Sequence, residues 1–438
     1  MPPSDMPVHD LVGIGFGPSN LALAIALRER QARTGDAVDA VFLEKQPAFG
    51  WHRGMLIEGT TMQVSFLKDL VTMRNPASGF GFLSYLHDRG RMADFINHKT
   101  MFPSRAEFHD YLEWAAAAFD EQVEYGSEVV GVTPIVVDGV VEYVDVVVRQ
   151  GDRSDELTTR RARNLVIAAG LEPVLPEGTA DSERIWHTEE LLDRVTGLRD
   201  PRRLLVVGAG QSAAEATDYL HRTFPDAEVC AVFTKYGYTP ADDSSFANRV
   251  FDPEAVDHFF TAPDEVKRML MDYHGSTNYS VVDLELIDEL YRRHYQEKVA
   301  GKERLRILNA SRIVDVVSEG AGLRSTVEFL PTGGRTTLAA DVLVYATGYR
   351  PRNPLTLLGG VGEYCLRHSV GAVRVERDYR IATSGAMRCG IYLQGATEHT
   401  HGIGSTLLSN TAVRAGEIAD SISERLGSID RDPYAVGR

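Results

Sequence analysis

Cysteine is scarce. Cys230, Cys365 and Cys389 are the only three in 438 residues, and they lie far apart. No CxxC pair occurs, which excludes a redox dithiol and a cysteine-rich zinc site. Nothing suggests a disulfide framework, so a reducing, cytoplasmic setting is expected. Positive charge is also in deficit: 46 Lys and Arg face 62 Asp and Glu, a formal net charge of -16. That argues against a general binder of nucleic acid or anionic membrane, because both demand a positive surface; a local basic pocket for a phosphate is still compatible. Long apolar runs are missing. The stretch Leu11 to Leu27 is too short to span a bilayer and is interrupted by Gly13, Gly15, Gly17, Pro18 and Asn20. The opening MPPSDMPVHD has no basic region, so no export leader is expected. No GxSxG elbow with a histidine and acid partner supports hydrolysis. The composition, 43% hydrophobic and 25% charged, is that of a globular chain, and the length suits about two or three domains.

The chain opens as strand, turn and helix. His9 to Val12 leads into Gly13-Ile14-Gly15-Phe16-Gly17-Pro18, and the Ala- and Leu-rich segment from Leu21 to Arg30 follows. A second strand, Ala40 to Leu43, ends in Glu44. This is a βαβ unit with a Gly-rich first turn and an acid at the end of its second strand. The pattern recurs at Arg203 to Val207, Gly208-Ala209-Gly210-Gln211-Ser212-Ala213, a helix from Ala214 to Phe224 and a strand from Glu228 to Phe233. A subtler repeat pairs Leu165 to Gly170 with Leu343 to Gly348. Each is a strand ending in small residues and followed by a proline, as suits two connections between a split outer domain and an inserted inner one. Gln122 to Arg163 alternates Val with polar residues, as a β-meander does, and the charged stretch Gly151 to Arg163 reads as a hairpin loop.

The turns point to nucleotides. Gly15 and Gly17 let the backbone approach a pyrophosphate, and the helix behind them offers free N–H groups and the positive end of its dipole. Pro18 stands where the last glycine of GxGxxG would fall, and Glu44 is placed for a ribose hydroxyl. In the second unit the ribose-holding acid is missing, and the strand runs on to Lys235. A cation there favours a 2′-phosphate, hence NADP over NAD; the plainer reading is one more solvated lysine. In Trp51 to Pro76, Gln63 and Lys68 interrupt an apolar stretch. Lys68, beside Phe66, Leu67 and Leu70, reads either as a solvated stem or as a pocket cation meeting a carboxylate. His399 and His401 match no metal-ligand spacing, and a loop beside a helix start is the favoured reading.

Taken together, these motifs resemble the flavin-dependent N-hydroxylating monooxygenases, the L-ornithine N5-monooxygenase and L-lysine N6-monooxygenase family of hydroxamate siderophore pathways. The resemblance runs from about Asp10 to Ile422. It rests on GIGFGPSN (13–20), WHRGM (51–55), MQVSFLKDLVTMRNP (62–76), PSRAEFHDYLEW (103–114), VVGAGQSAAE (206–215), DDSSFANRVFDP (242–253), TNYSVVD (277–283), ATGYRP (346–351) and HGIGSTLLSN (401–410). The Gly turns and ATGY are shared with many flavoproteins; the FLKDLV, DDSxFxN and NYSVVD blocks are more specific.

The resemblance implies an α/β fold with two Rossmann-like dinucleotide-binding domains, for FAD and NADPH, and a small helical substrate-covering region. The implied FAD domain is split, 1–170 and 340–438. The NADPH domain is 171–339, within which 236–300 contributes a substrate-binding segment. FAD would rest on Gly13, Gly15, Gly17 and Pro18 with Glu44 on its ribose, Trp51, His52 and Gln63 along the flavin, and Leu407 closing the other side. NADPH would use Gly208, Gly210, Gln211, Ser212 and Lys235, the last standing where members often carry Arg. Lys68 would pair with the substrate α-carboxylate, with Asn248, Asn278 and Ser409 holding the amino-acid end. The implied reaction is hydroxylation of the ornithine side-chain amine through a C4a-hydroperoxyflavin, from dioxygen, with no catalytic side chain and no metal. A homo-oligomer, tetramer or dimer, is implied as well. Asn-Tyr-Ser after Thr277 looks more like the ornithine than the lysine branch. The alternatives are the lysine enzyme, a Baeyer–Villiger or sulfur-oxidising flavoprotein, and a non-catalytic dinucleotide-binding redox sensor.

Overall fold

In the computed structural model, residues 6–151, 156–320, 322–368 and 371–429 are described. The outer lobe starts with β1 (Val8–Ile14), α1 (Pro18–Thr34) and β2 (Ala40–Glu44). Leu11 to Ile14 and all of β2 are buried, as expected of parallel strands covered on both faces. After α2 (Arg105–Ala116) come β3 (Val123–Tyr125), β4 (Ser127–Val137), β5 (Val140–Gln150) and β6 (Leu157–Ile167). The sheet order is β3-β2-β1-β6-β5-β4, with β1 to β3 and β6 parallel and β4, β5 and β6 forming an antiparallel meander. The expected hairpin loop at 151–163 is therefore corrected. Residues 157–163 belong to β6, and 152–155 lie outside the described residues. The charges that suggested a loop are paired within the sheet: Arg161 sits directly across from Asp145 at 2.7 Å, and Arg160 reaches Glu124 at 2.8 Å. Opposite charges across a ladder stabilise it.

Strand β7 (Leu171–Pro173) leads to the inner lobe: β8 (Ile185–His187), β9 (Arg203–Val207), α3 (Gln211–Thr223) and β10 (Glu228–Val232). Helices α4 (Pro253–Thr261), α5 (Asp264–His274) and α6 (Leu284–Ala300) follow, then β11 (Leu305–Leu308), a three-stranded antiparallel flap of β12 (Ser311–Glu319), β13 (Gly322–Phe329) and β14 (Gly334–Ala340), and finally β15 (Val342–Tyr345). The inner sheet is parallel throughout, in the order β11-β10-β9-β15-β8. The chain returns through β16 (Tyr349–Pro351), which pairs antiparallel with β7, so both crossings between the lobes are hydrogen-bonded to each other. Strand β17 (Gly390–Leu393) then joins the C-terminal half of β6, and α7 (Thr411–Ile429) packs on α1.

One core beneath the outer sheet decides the site's geometry. Phe82, Tyr85, Phe108, Tyr111 and Phe119 are buried together with Leu70 and Val71. Burying each large side chain contributes about 1.5–3 kcal/mol. Helix α2 is placed against this core by Ser104, whose hydroxyl accepts the Glu107 N–H at 3.1 Å, the start of a capping-box sequence.

Candidate active site

The two Gly-rich turns are built alike. The Gly15 N–H donates to Leu43 O (2.8 Å) and the Gly208 N–H to Val232 O (3.1 Å). Below them the Ala168 and Ala346 N–H groups donate to Ile14 O (2.9 Å) and Val207 O (2.8 Å). Both glycines are in the positive-φ region, +82° and +145°, and a Cβ would lie 2.5 Å from Ala168 O or 2.4 Å from Ala346 O. The small residues ending the two repeated strands are thus the floor under each turn. Gly13 has a packing role, since a Cβ there would enter the Phe42 ring. Gly17 is different: a Cβ would meet nothing within 4 Å, so this side of the turn is an open cradle at the N-terminus of α1, with Pro18 as its first residue. Glu44 is buried beside it. One carboxylate oxygen accepts the Phe16 N–H at 2.7 Å and the other the Gln46 N–H at 2.9 Å. The carboxylate is locked at the turn, and its remaining lone pairs can accept ribose hydroxyls. The open cradle, the helix start and the fixed acid fit FAD.

In the second turn a Cβ on Gly210 would meet only the Ser280 backbone, at 3.5 Å. Ser212 lies in the first turn of α3. The Gln211 side chain is already engaged: its Nε2 donates to Glu215 (2.9 Å) and Asp283 (3.3 Å), and its Oε1 accepts the Asp283 N–H (2.8 Å). What Gln211 can offer a phosphate is its backbone N–H. Lys235 Nζ donates to Thr239 Oγ1 (3.2 Å) and Ser280 O (2.7 Å) at an exposed position.

Between the lobes, the segment around FLKDLV is tied down by Asp69. This buried carboxylate accepts from the N–H groups of Val71 (2.9 Å), Thr72 (2.6 Å) and Phe82 (2.8 Å) and from the Thr72 hydroxyl (2.9 Å). With Leu70 and Val71 in the core and the Leu70 N–H on the Tyr111 hydroxyl (3.2 Å), Lys68 is projected from a rigid turn. Its ammonium lies 5.4 Å from the centroid of the Phe251 ring. Burial pulls its pKa below the ordinary value, and nearby Asp252 opposes that shift. Among the described residues no carboxylate comes within 4 Å of it.

Other segments close around this point. Asn248 stands on the same short turn as Phe251, its amide donating to Asp243 O at 2.8 Å. The Val250 carbonyl faces Gly404. Asn278 and Thr406 flank the Tyr279 hydroxyl, which hydrogen-bonds Glu398; burial and that carboxylate push the phenol well up. Ser405 Oγ, Ser409 Oγ and both amide atoms of Asn410 are buried with no hydrogen-bond partner among the described residues. Buried polar groups are nearly always paired, so a polar ligand is the natural complement to this set. Trp51 and His52 are edge-on at 4.7 Å, and His52 approaches Tyr349 at 6.3 Å. The His52 ring is solvent-accessible, yet it sits deep between the lobes; this confinement first, and Arg105 second, lower its pKa to about 4, so it is neutral at pH 7. Leu407 follows Thr406 and begins the short turn that carries Ser409.

The family described as L-lysine 6-monooxygenase/L-ornithine 5-monooxygenase matches residues 7–351. The chain belongs to that family. An L-ornithine N(5)-monooxygenase of Pseudomonas aeruginosa is 38% identical over 427 residues, 96% of this chain and 94% of that one. A Kutzneria sp. 744 ornithine N-hydroxylase, in a structure with reduced FAD, NADP+ and L-ornithine, superposes with a TM-score of 0.92 at 46% identity, covering 96% of this chain and 100% of that one. The L-lysine 6-monooxygenase of Pseudomonas syringae gives 0.84 at 33%, covering 95% and 100%. Like its family, the chain is a flavin-dependent, NADPH-using N-monooxygenase with a mixed α/β fold of two Rossmann-type units.

In this monooxygenase the three thiols are buried and free of disulfides. Burial pushes Cys230, Cys365 and Cys389 up to about 12, 11 and 12. His401 stacks on Tyr379 at 4.1 Å, its Nε2 hydrogen-bonding Arg377 O; His399 likewise bonds Val373 O. Among the described residues no cluster of three or more metal-ligating side chains forms, and no helix is long and apolar enough to cross a membrane. Sequence reasoning missed Asp69, Arg105, Glu215 and Asp283. Arg105 and Glu215 form a two-pronged ion pair across the lobes, at 2.8 and 2.7 Å. The only sequence signal for the four was membership in the conspicuous blocks FLKDLV, PSRAEF, GQSAAE and NYSVVD.

Proposed function

We propose that this chain hydroxylates the side-chain amine of L-ornithine, using FAD, NADPH and dioxygen, with the amino-acid end held at Lys68. The observation that carries this reading is the Lys68 ammonium: half-buried, fixed by the Asp69 turn, and with no carboxylate among the described residues within 4 Å, Asp252 acting on it only from farther away. A substrate α-carboxylate would complete it. Asn248, on the same short turn as Phe251, and Asn278 would supply hydrogen-bonding groups for the amino-acid end, and the Ser409 hydroxyl, unpartnered among the described residues, would serve the same end.

Bound FAD, once NADPH has reduced it, supplies the oxygen transfer. The chain's own residues prepare the acceptor. An alkyl ammonium has a pKa of about 10.4, so exposing its lone pair at pH 7 costs on the order of 4–5 kcal/mol. Burial lowers an amine pKa by up to about 3–5 units, which offsets most of that cost. Trp51, neutral His52 and Leu407 offer no charge to hold an ammonium, while Lys68 keeps the ionic contact at the far end. The distance between the two ends then selects chain length. One methylene is worth only about 10–200-fold in discrimination. The ornithine assignment is favoured over lysine by the higher identity and TM-score of the ornithine N-hydroxylase comparison.

In this reading residues 1–170 and 340–438 hold FAD, 171–339 hold NADPH, and 236–300 close over the substrate. The product is an N5-hydroxyornithine suited to a hydroxamate siderophore or a related N-hydroxylated metabolite. A homo-oligomer is supported by the apolar stripe Leu284, Tyr291, Tyr295 and Val299 along exposed α6. The test is product analysis with ornithine, lysine and a sulfide as competing substrates, with hydroxylamine measured against NADPH consumed. Ornithine should give hydroxylamine with the highest kcat/KM; a protein that binds no FAD, or leaves diamino acids untouched, refutes the proposal.

A further inference from the structure

We propose that Asp283 is a positioning residue that decides which end of the Gln63 carboxamide faces the flavin side of the cleft, and that couples this setting to the NADPH-binding turn through Gln211. The inference rests on the functional reading above, in which Gln63 lies along the flavin.

Gln63 Nε2 lies 2.5 Å from Asp283 Oδ2. A carboxylate accepts hydrogen bonds and donates none, so the nitrogen of the carboxamide must be the end that meets it. The Gln63 oxygen is thereby turned the other way, and among the described residues it carries no hydrogen bond. The cleft is offered an acceptor there, suited to an N–H donor on the ring or on the substrate amine. Without Asp283, the amide could present either end.

Asp283 is itself held from behind. Its Oδ2 also receives Gln211 Nε2 at 3.3 Å, and its N–H donates to Gln211 Oε1 at 2.8 Å. Gln211 Nε2 donates further to Glu215 Oε1 at 2.9 Å, and Glu215 is clamped by Arg105, whose Nη1 also reaches Met55 O at 3.0 Å. Rotating the Gln211 amide would set its oxygen against two carboxylates. The chain Gln63–Asp283–Gln211–Glu215–Arg105 leaves the outer lobe, passes through the first turn of α3, and returns to the outer lobe.

A structural role at the helix start does not account for this. Asp283 precedes α6 in the capping position, where an aspartate ordinarily accepts first-turn N–H groups. Here its side chain makes no capping bond, and the hydrogen bonds of its carboxylate go to Gln63 and Gln211.

The test uses the full-length, FAD-loaded protein and the near-isosteric change Asp283→Asn, whose amide can meet Gln63 with either atom. The parent must first form hydroxylamine from ornithine, which separates failure of the functional reading from failure of this one. Asp283→Asn should lower hydroxylamine formed per NADPH about threefold to tenfold, with hydrogen peroxide making up the difference and the ornithine KM within twofold of the parent. It should also shift the visible spectrum of the resting flavin and weaken NADP+ binding, read by titration. Gln63→Leu should show the same loss of coupling, and the double variant should lose no more than Gln63→Leu alone. The proposal is overturned if Asp283→Asn matches the parent in coupling and flavin spectrum, or if the two losses simply multiply. Should Asp283→Asn melt well below the parent, Asp283→Glu decides: restored coupling supports the positioning role, and persistent loss at parental melting temperature overturns it.

Discussion

Replacing Lys68 by Met keeps an unbranched stem of similar reach and removes the charge. The side chain is half-buried, with its ammonium over the Phe251 ring and no carboxylate among the described residues within 4 Å. Two unit charges about 4 Å apart attract by about 4 kcal/mol at an effective dielectric constant near 20. Solvent at a half-buried site screens part of this, leaving about 2–3 kcal/mol for the contact with a substrate carboxylate. At about 1.4 kcal/mol per factor of ten, the ornithine KM should rise about 30- to 150-fold. Since among the described residues no carboxylate lies within 4 Å of Lys68 to be left unpaired, the melting temperature should change little, and NADPH oxidation without ornithine should persist. Lys68→Arg should recover part of the loss. Steady-state kinetics with varied ornithine, beside NADP+ titration and a thermal melt, measure all three quantities. A parental ornithine KM in Lys68→Met would refute the carboxylate assignment, and an equal loss of NADP+ affinity would refute its confinement to the amino-acid end.

Further expectations come from other residues. Gly15→Val, with its Cβ forced against Ala168 O at a left-handed backbone, should purify as a destabilised, colourless protein; a yellow, stable variant would show that the turn does not carry the flavin. Gly17→Val faces open space at an ordinary φ, so the cofactor-free protein should melt like the parent while FAD affinity falls, as equilibrium titration would record. His401 is 1% exposed, and burial is the main cause that lowers its pKa to about 4. The unfolded chain therefore takes up this proton near pH 6.5 and the native state only near 4, so native stability falls as pH drops through that window. The full difference of about 2.5 units corresponds to about 3 kcal/mol. His401→Gln should flatten the denaturation midpoint between pH 6.5 and 4, and an unchanged slope would mean that other buried histidines dominate.

Local chemistry made much of the architecture readable in one dimension. A Gly-rich turn between an apolar strand and an Ala-rich helix is a contiguous signal, because it reflects backbone close approach and periodic burial within about thirty residues. Both turns, the strands at 40–44, 203–207 and 228–232, and the small-residue endings at 168 and 346 were visible that way. The misread stretch at 157–163 shows the limit. Its charges look solvated in isolation, and only the folded sheet brings Asp145, directly across the ladder, to Arg161 and Glu124, on β3, to Arg160.

The FLKDLV, DDSxFxN and NYSVVD blocks marked where site chemistry would be found, through resemblance, but not how their residues meet. That a lysine is free for a ligand depends on which carboxylates lie beyond 4 Å, a property of contacts between residues about 180 positions apart. Gln63 and Asp283 are 220 positions apart, and Arg105 and Glu215 are 110. Hydrogen bonds and ion pairs act over a few ångströms in space and carry no imprint on spacing along the chain. Turn geometry and burial pattern were therefore set locally, whereas the free ammonium, the neutral histidine and the orientation of one carboxamide came into being only when the two lobes closed on each other.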